Sequence, residues 1–376
     1  MEQFVYFDNN ATTQVDPRVL EATMPYLTTH FGNASSTHQY GLNAKEAVRK
    51  ARHQVAELIG AESNEIIFTS GSTEAINLAI KGIADTYSSK GKHIVTALTE
   101  HPAVLDTCRD LETKGFEITY LPVESDGLLD LSLFKSVLRE DTILVSIMLA
   151  NNETGVIQAI KKIAELAHDV NAVFMSDATQ AVGKIPIDVD DLGIDLLCLS
   201  GHKFYAPKGV GSLFVRHRNR SIKLTAIQHG GGHENGLRSG TLNVPGIVAL
   251  GSASSVAKES IETDSEKIRA LRDKLESELL KIPSSYINGC TKSRMFNVSN
   301  ICFRGFDANV IMGRVRNIAV SNGSACSSAI FKPSHVLTAM GLSSDDAFSS
   351  IRFSLGKFNT NQDVDVAVER FMKLFQ

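Results

Sequence analysis

Leu196-Leu-Cys-Leu-Ser200-Gly-His-Lys203 is an apolar run that stops abruptly on a serine, a glycine, a histidine and a lysine. A short, wholly apolar run closed by a glycine predicts a strand buried on both faces. Similar runs lie upstream at Glu65–Thr69, His93–Ala97, Glu117–Leu121, Thr142–Met148 and Ala172–Ser176, and one more follows at Gly211–Val215. Amphipathic stretches such as Asn43–Ile59, Glu74–Ala84 and Ile160–Val170 separate several of them. Strands alternating with helices predict an α/β fold with a mostly parallel sheet covered by helices.

Beyond this region, Ile268, Leu271, Leu275 and Leu279 stand at helical spacing within a charged stretch from about Glu262 to Lys281. We read it as the connection into a smaller α/β unit with strands at Asn297–Phe303 and Ser350–Leu355 and a helix near Asp363–Phe375. A chain of 376 residues exceeds what one core usually absorbs. The expected division is a large domain over residues 15–258 and a small domain made of residues 1–14 and 259–376.

Composition narrows the function. Apolar residues make up 43% and charged residues 21%, as in ordinary globular proteins, which excludes disordered and fibrous classes. The net charge is −4 with no basic stripe, so direct nucleic-acid binding is not expected. The start, Met1 to Asp8, lacks a signal-peptide pattern, and no apolar run approaches membrane-spanning length. The expectation is a soluble, cytoplasmic protein without membrane contact, although a processed organellar chain would read the same way. Cys108, Cys198, Cys290, Cys302 and Cys326 are odd in number and form no CxxC pair. A disulfide framework or cysteine-based zinc site is not expected, whereas a free thiol is.

Ligands of open α/β sheets bind beyond the carboxyl ends of the strands. Five of the strands above end in chemically capable residues: Ser70-Gly-Ser72-Thr73, Thr99-Glu-His101, Asn151-Asn152, Asp177-Ala-Thr-Gln180 and Ser200-Gly-His202-Lys203. The Ser70–Thr73 turn leads into a helix, whose exposed N–H groups suit a phosphate. Read alone it is more simply a helix cap, with Glu74 tuning the helix start. Neither GxGxxG nor GxxxxGK[ST] occurs, so a dinucleotide or P-loop site is not indicated. His229 and His233 flank three glycines, which disfavours the helix that a zinc pair would need.

Lys203 directly follows an apolar strand, where desolvation would leave its amine nucleophilic. Asp177 could face the ring nitrogen of a pyridoxal cofactor, and His101 could stack on such a ring and move protons. Each residue has a blander reading: a surface lysine, a turn aspartate, a packed histidine. Together they favour a Schiff-base lysine holding pyridoxal 5'-phosphate (PLP).

The ordered set Tyr6-Phe-Asp-Asn-Asn-Ala-Thr-Thr13, Phe31-Gly-Asn-Ala-Ser-Ser36, Thr99-Glu-His101, Asn151-Asn-Glu-Thr-Gly155, Asp177-Ala-Thr-Gln180, Ser200-Gly-His-Lys203, Arg238-Ser-Gly-Thr241 and Ser324-Ala-Cys326 closely resembles the cysteine desulfurases. These are class V aminotransferase-type, fold-type I PLP enzymes, and the resemblance runs along nearly the whole chain. It implies Lys203 as Schiff-base lysine, Asp177 as partner of the pyridine nitrogen and Gln180 as partner of the phenolic oxygen. His101 would be the stacking acid/base. Thr73, Ser200 and His202 would hold the phosphate, with Thr241 reaching across a homodimer interface. Asn152 and Arg352 would hold L-cysteine, and Cys326 would accept its sulfur as a persulfide, leaving L-alanine. The acceptor beyond Cys326 would be an iron–sulfur scaffold or a tRNA-thiolation enzyme. The length of the segment between Cys326 and Pro333 resembles the long-loop subgroup. Relatives often have proline where this chain has Ala34. Some also carry a longer tail that contacts an iron–sulfur scaffold, so that particular contact is not expected here.

Two other readings compete. An aminotransferase or amino-acid lyase of the same fold would share Lys203, Asp177 and His101 without needing Cys326. A catalytically silent scaffold would have no use for Lys203, Asp177, Arg352 and Cys326 together.

Overall fold

The computed structural model describes residues 3–323 and 332–375. In chain order the strands are β1 (Val5–Tyr6), β2 (Ile66–Thr69), β3 (His93–Ala97), β4 (Glu117–Leu121), β5 (Thr142–Ser146), β6 (Val173–Asp177), β7 (Leu196–Ser200), β8 (Gly211–Val215), β9 (Ser285–Ile287), β10 (Val298–Phe303), β11 (Ile318–Ala319) and β12 (Ser350–Ser354). The helices are α1 (Pro17–Thr28), α2 (Gln39–Ile59), α3 (Ser72–Tyr87), α4 (Pro102–Glu112), α5 (Leu131–Val137), α6 (Ile160–Asp169), α7 (Val244–Leu279), α8 (Ala308–Arg314), α9 (His335–Ala339), α10 (Ser344–Phe348) and α11 (Asn361–Leu374).

Seven strands form one sheet in the order β2-β8-β7-β6-β5-β3-β4. Only β8 runs against the others, pairing antiparallel with both β2 and β7. Side chains alternate across each strand, so both faces need a cover. Val95, Val145, Phe174 and Leu197 pack into one apolar cluster. Ile94, Leu144, Met175 and Leu196 pack into the other. That two-sided burial explains why these strands read as continuous apolar runs. The six co-directional strands bring the ends of β2, β3, β5, β6 and β7 to one edge. Gly211 of β8 pairs there with both Thr69 and Ser200. A Cβ on Gly211 would lie 2.5 Å from the Leu199 carbonyl oxygen and 2.7 Å from the Gly71 Cα, so only glycine lets these turns close together.

The expected α7 pattern is only the second half of the helix. It begins at Val244, capped by Asn243 with a proline in its first turn, and runs for 36 residues. The first half buries Ile247, Leu250, Ala253 and Val256, but Gly246, Ala249, Gly251, Ser254 and Ala257 are buried with them, and these small residues blur the apolar pattern. The strands β1, β9 and β11 escaped the reading because they are too short to show a period. β1 pairs in parallel with β11, and β9 flanks β10 in the antiparallel order β12-β10-β9. The pairing of β1 matters for the site. It fixes the N-terminal segment beside β12 through a bridge between Asp8 and Ser354. The chain then runs from Asp8 to Thr13 across the edge of the large sheet, where Thr13 N–H donates to the His202 carbonyl at 2.9 Å.

Among the described residues, no helix is long and apolar enough to cross a membrane.

Candidate active site

Beyond that sheet edge lies a cavity of about 380 Å3. Thr73, His101, Asn152, Asp177, Gln180, His202, Lys203 and Arg352 all line it, joined by Asn10, Ala11 and Ser72. The expected residues therefore converge, with three exceptions. Ser200 is buried behind the wall; a Cβ on Gly71 would lie 3.5 Å from its hydroxyl. Thr241 is exposed and does not line this cavity. Cys326 lies outside the described residues.

Lys203 follows β7 in a single turn of 3-10 helix. Its Nζ donates to the carbonyl oxygens of Asn10 at 2.7 Å and Ala11 at 2.8 Å. Burial, reinforced by the Arg352 charge and opposed by Asp177, lowers its pKa to about 8. Asp177 ends β6. Its Oδ1 accepts from the Thr179 N–H at 3.0 Å and from the Thr179 hydroxyl. The turn role is therefore real, yet Oδ2 has no hydrogen bond among the described residues and remains available at the cavity.

His101 caps α4, its Nδ1 accepting from the Ala103 N–H at 3.1 Å. An accepting Nδ1 places the proton of the neutral ring on Nε2. The ring stays accessible from the cavity, while the protein packed around it depresses its pKa against the pull of Asp177. His202 pairs through Nδ1 with the Thr12 hydroxyl at 3.1 Å, and burial lowers its pKa to about 4, so its ring is neutral.

At α3 the cap position is Gly71, without a side-chain hydrogen bond, so Ser70, Ser72 and Thr73 do not serve as the cap expected of the turn. Glu74 does steady the helix start: its carboxylate accepts from the Ser70 N–H at 2.8 Å and from Arg238 Nε at 2.7 Å. Burial pulls its pKa up, but Arg238 and the Ser70 N–H outweigh burial and hold the carboxyl below its usual range. Arg238 of the Arg238–Thr241 motif thus anchors the turn that carries Ser72 and Thr73.

The sequence reading missed the residues that hold this constellation together. The Asn10 carbonyl accepts from Lys203 and, at 2.9 Å, from Gln180 Nε2. Glu100 is fully buried; Oε1 accepts from the Met148 N–H at 2.6 Å, Oε2 has no hydrogen-bond partner among the described residues, and burial raises its pKa well above the usual range. Glu153 is buried and accepts from the Ser334 hydroxyl at 2.5 Å. A Cβ on Gly323 would lie 2.2 Å from the same carboxylate. Glu153 therefore lies against Gly323 before the stretch containing Cys326 and bonds to Ser334 after it. Glu100 and Glu153 could have drawn attention in sequence because each is an acid flanked by the quoted motif residues.

Of the other cysteines, Cys290 is half-buried. Cys108, Cys198 and Cys302 are buried, and burial raises their pKa, to about 12 for Cys108.

The donor set fits PLP: a half-buried amine facing the cavity, a carboxylate with a free oxygen, and hydroxyls at the start of a helix beside a neutral histidine. Comparison with known proteins agrees. The Aminotransferase class-V family model matches residues 5–366. The cysteine desulfurase IscS of Shewanella denitrificans is 52% identical over 368 residues, covering 97% of this chain and 91% of the relative. That of Edwardsiella ictaluri is 50% identical, covering 98% and 92%. Among solved structures, a NifS-like protein superposes with a TM-score of 0.93 at 37% identity over 99% of both chains. A NifS-like protein from Rickettsia africae gives 0.89 at 33% identity over 99% of both. The chain belongs to the class V aminotransferase family of PLP-dependent enzymes. Within it, the near full-length likeness to curated desulfurases makes it a cysteine desulfurase.

Proposed function

We propose that the Lys203 cavity takes up L-cysteine, that Cys326 removes its sulfur as a persulfide, and that L-alanine is released. The observation that carries this reading is the convergence of the Lys203 amine, the Asp177 carboxylate and the Arg352 guanidinium on one cavity.

Bound there through Lys203, PLP supplies an aldehyde for an amine and a ring that accepts the electron pair left at the substrate Cα. The chain's own residues do the rest. Asp177 Oδ2 holds the proton on the ring nitrogen, and Gln180 donates to the phenolic oxygen. Thr73, Ser200 and His202 would hold the phosphate, with the Ser72 hydroxyl beside them at the start of α3. Arg352 and Asn152 hold the substrate carboxylate. Lys203, once free, takes the Cα proton. The Cys326 thiolate attacks the substrate sulfur, and the C–S bonding pair passes to Cβ. Lys203 would return the proton it took to Cα, and His101, once its ring has picked up a second proton, would give the one that completes the alanine methyl.

The exposure of Thr241 supports a homodimer in which Thr241 of the partner subunit completes the phosphate site. Leu20, Met24, Leu27, Phe31 and Tyr40 are large apolar residues left exposed, and they supply a surface for that second copy. The persulfide sulfur then passes to an acceptor protein in the cytoplasm, an iron–sulfur scaffold or a tRNA-thiolation enzyme. In this reading residues 15–258 bind the cofactor, and residues 1–14 with 259–376 carry Arg352 and Cys326.

Cys326→Ser tests the assignment. The variant should keep the cofactor's visible absorbance and lose both persulfide and alanine formation. Continued alanine release from L-cysteine would remove Cys326 from the reaction.

A further inference from the structure

Lys184 is a buried lysine that the reaction as derived does not use; 7% of it is exposed. It sits in the apolar stretch Ala181-Val-Gly-Lys184-Ile, one turn beyond Gln180. Its Nζ donates to Gln180 Oε1 at 2.9 Å and to Asn10 Oδ1 at 3.4 Å. Among the described residues no carboxylate pairs with it, and the charged groups that act on it are the cations Lys203 and Arg352. Burial first, and then these two cations, lower its pKa to about 7. A buried cation without a counter-ion is costly, so the position needs a reason.

The hydrogen bonds supply one. A lysine nitrogen is here a donor, and only the carbonyl end of a glutamine can accept from it. Lys184 therefore fixes which end of the Gln180 amide faces inward. Oε1 turns to Lys184, and Nε2 turns to the opposite side, where it donates to the Asn10 carbonyl at 2.9 Å. Nε2 carries two hydrogens, and Gln180 lines the cavity, so one N–H remains for a ligand. Asn10 is held in turn: its Oδ1 accepts from Asn297 Nδ2 at 3.0 Å, and its N–H donates to Ser354 Oγ at 2.9 Å.

We propose that Lys184 is a positioning residue that locks the Gln180 amide as a hydrogen-bond donor toward the cofactor's phenolic oxygen. The inference rests on PLP occupying the Lys203 cavity. Without Lys184 the amide is held by the Nε2–Asn10 bond alone, and the half-turn that would present Oε1 to an oxygen carrying negative charge becomes easier. A donor on that oxygen favours its ionised form, so losing it makes proton loss from the bound cofactor harder.

The test is a pH titration of the bound cofactor's visible absorbance in the full-length holoenzyme. It compares wild type, Lys184→Met, Lys184→Arg, Gln180→Ala and the Lys184→Met/Gln180→Ala double variant. Lys184→Met should raise the midpoint by about one pH unit, and Lys184→Arg should restore it toward wild type. In the Gln180→Ala background Lys184→Met should add nothing, because coupled residues are not additive. If methionine does not pack, Lys184→Ala serves in its place. An unchanged midpoint overturns the proposal. A shift of equal size with and without Gln180 also overturns it, since Lys184 would then act through its field alone. A wild-type protein that never acquires the absorbance with added PLP would overturn the functional reading itself, and the proposal with it.

Discussion

Arg352 donates from Nη2 to the Asp8 carboxylate at 2.7 Å and from Nη1 to the Asn152 carbonyl oxygen at 3.1 Å. The guanidinium is buried, and its Nε is sealed from solvent without a hydrogen-bond partner among the described residues. The same residue pairs through its backbone with Ser321, whose carbonyl accepts from the Arg352 N–H at 2.6 Å. One arginine thus ties together the N-terminal segment, the loop after β5 and the strand that leads toward Cys326.

A planar guanidinium fixed in this way can meet a carboxylate with two parallel N–H groups, which an ammonium cannot. Arg352→Lys should raise KM for L-cysteine by about 10- to 100-fold, the equivalent of one charge-assisted hydrogen bond. Steady-state kinetics checks this, with cofactor absorbance as the control; an unchanged KM would place the carboxylate elsewhere.

Lys203 sets a pH dependence for cofactor capture by the apoprotein. A lysine attacks an aldehyde only as the neutral amine, and the lowered pKa of about 8 moves that form into the working range. The rate of PLP incorporation, followed by absorbance, should rise with pH through about 8 and level off above it. A rate still climbing toward the ordinary lysine value near 10.5 would mean that burial does not depress this amine.

Asp177 spends Oδ1 on Thr179 and keeps Oδ2 for the cavity. Asp177→Asn preserves the Oδ1 contacts but removes the charge. Alanine formation should fall by on the order of 100-fold, with the thermal midpoint little changed. Near-normal turnover would show that the ring nitrogen needs no carboxylate.

Gly183 adopts φ +74°, and a Cβ there would fall 2.7 Å from Cβ of Phe204, the residue after Lys203. Gly183→Ala should therefore cost about 2–4 kcal/mol in denaturant unfolding, from left-handed backbone strain and collision together. A loss below about 1 kcal/mol would show that Phe204 can move aside.

Strand-end chemistry was legible because β5, β6 and β7 are buried on both faces and so announce themselves as apolar runs. Whatever polar residue ends such a run must sit at the rim, as Asp177 and Lys203 do. The first half of α7 was not legible, since many of its buried positions are Gly, Ala or Ser, which weaken the apolar contrast. Nor was the part played by Asn10. Its value comes from partners such as Gln180, Lys203, Asn297 and Ser354, far away along the chain.

The linear order of residues was sufficient to set the fold class and the polar strand ends, because side-chain periodicity and local turn chemistry act over a few residues. Only the folded chain could decide that Lys184 and Gln180 meet Asn10, that Arg352 is held by Asp8, and that Glu153 lies between Gly323 and Ser334. Those pairings depend on which distant segments share one low-dielectric interior, where each buried donor must find an acceptor.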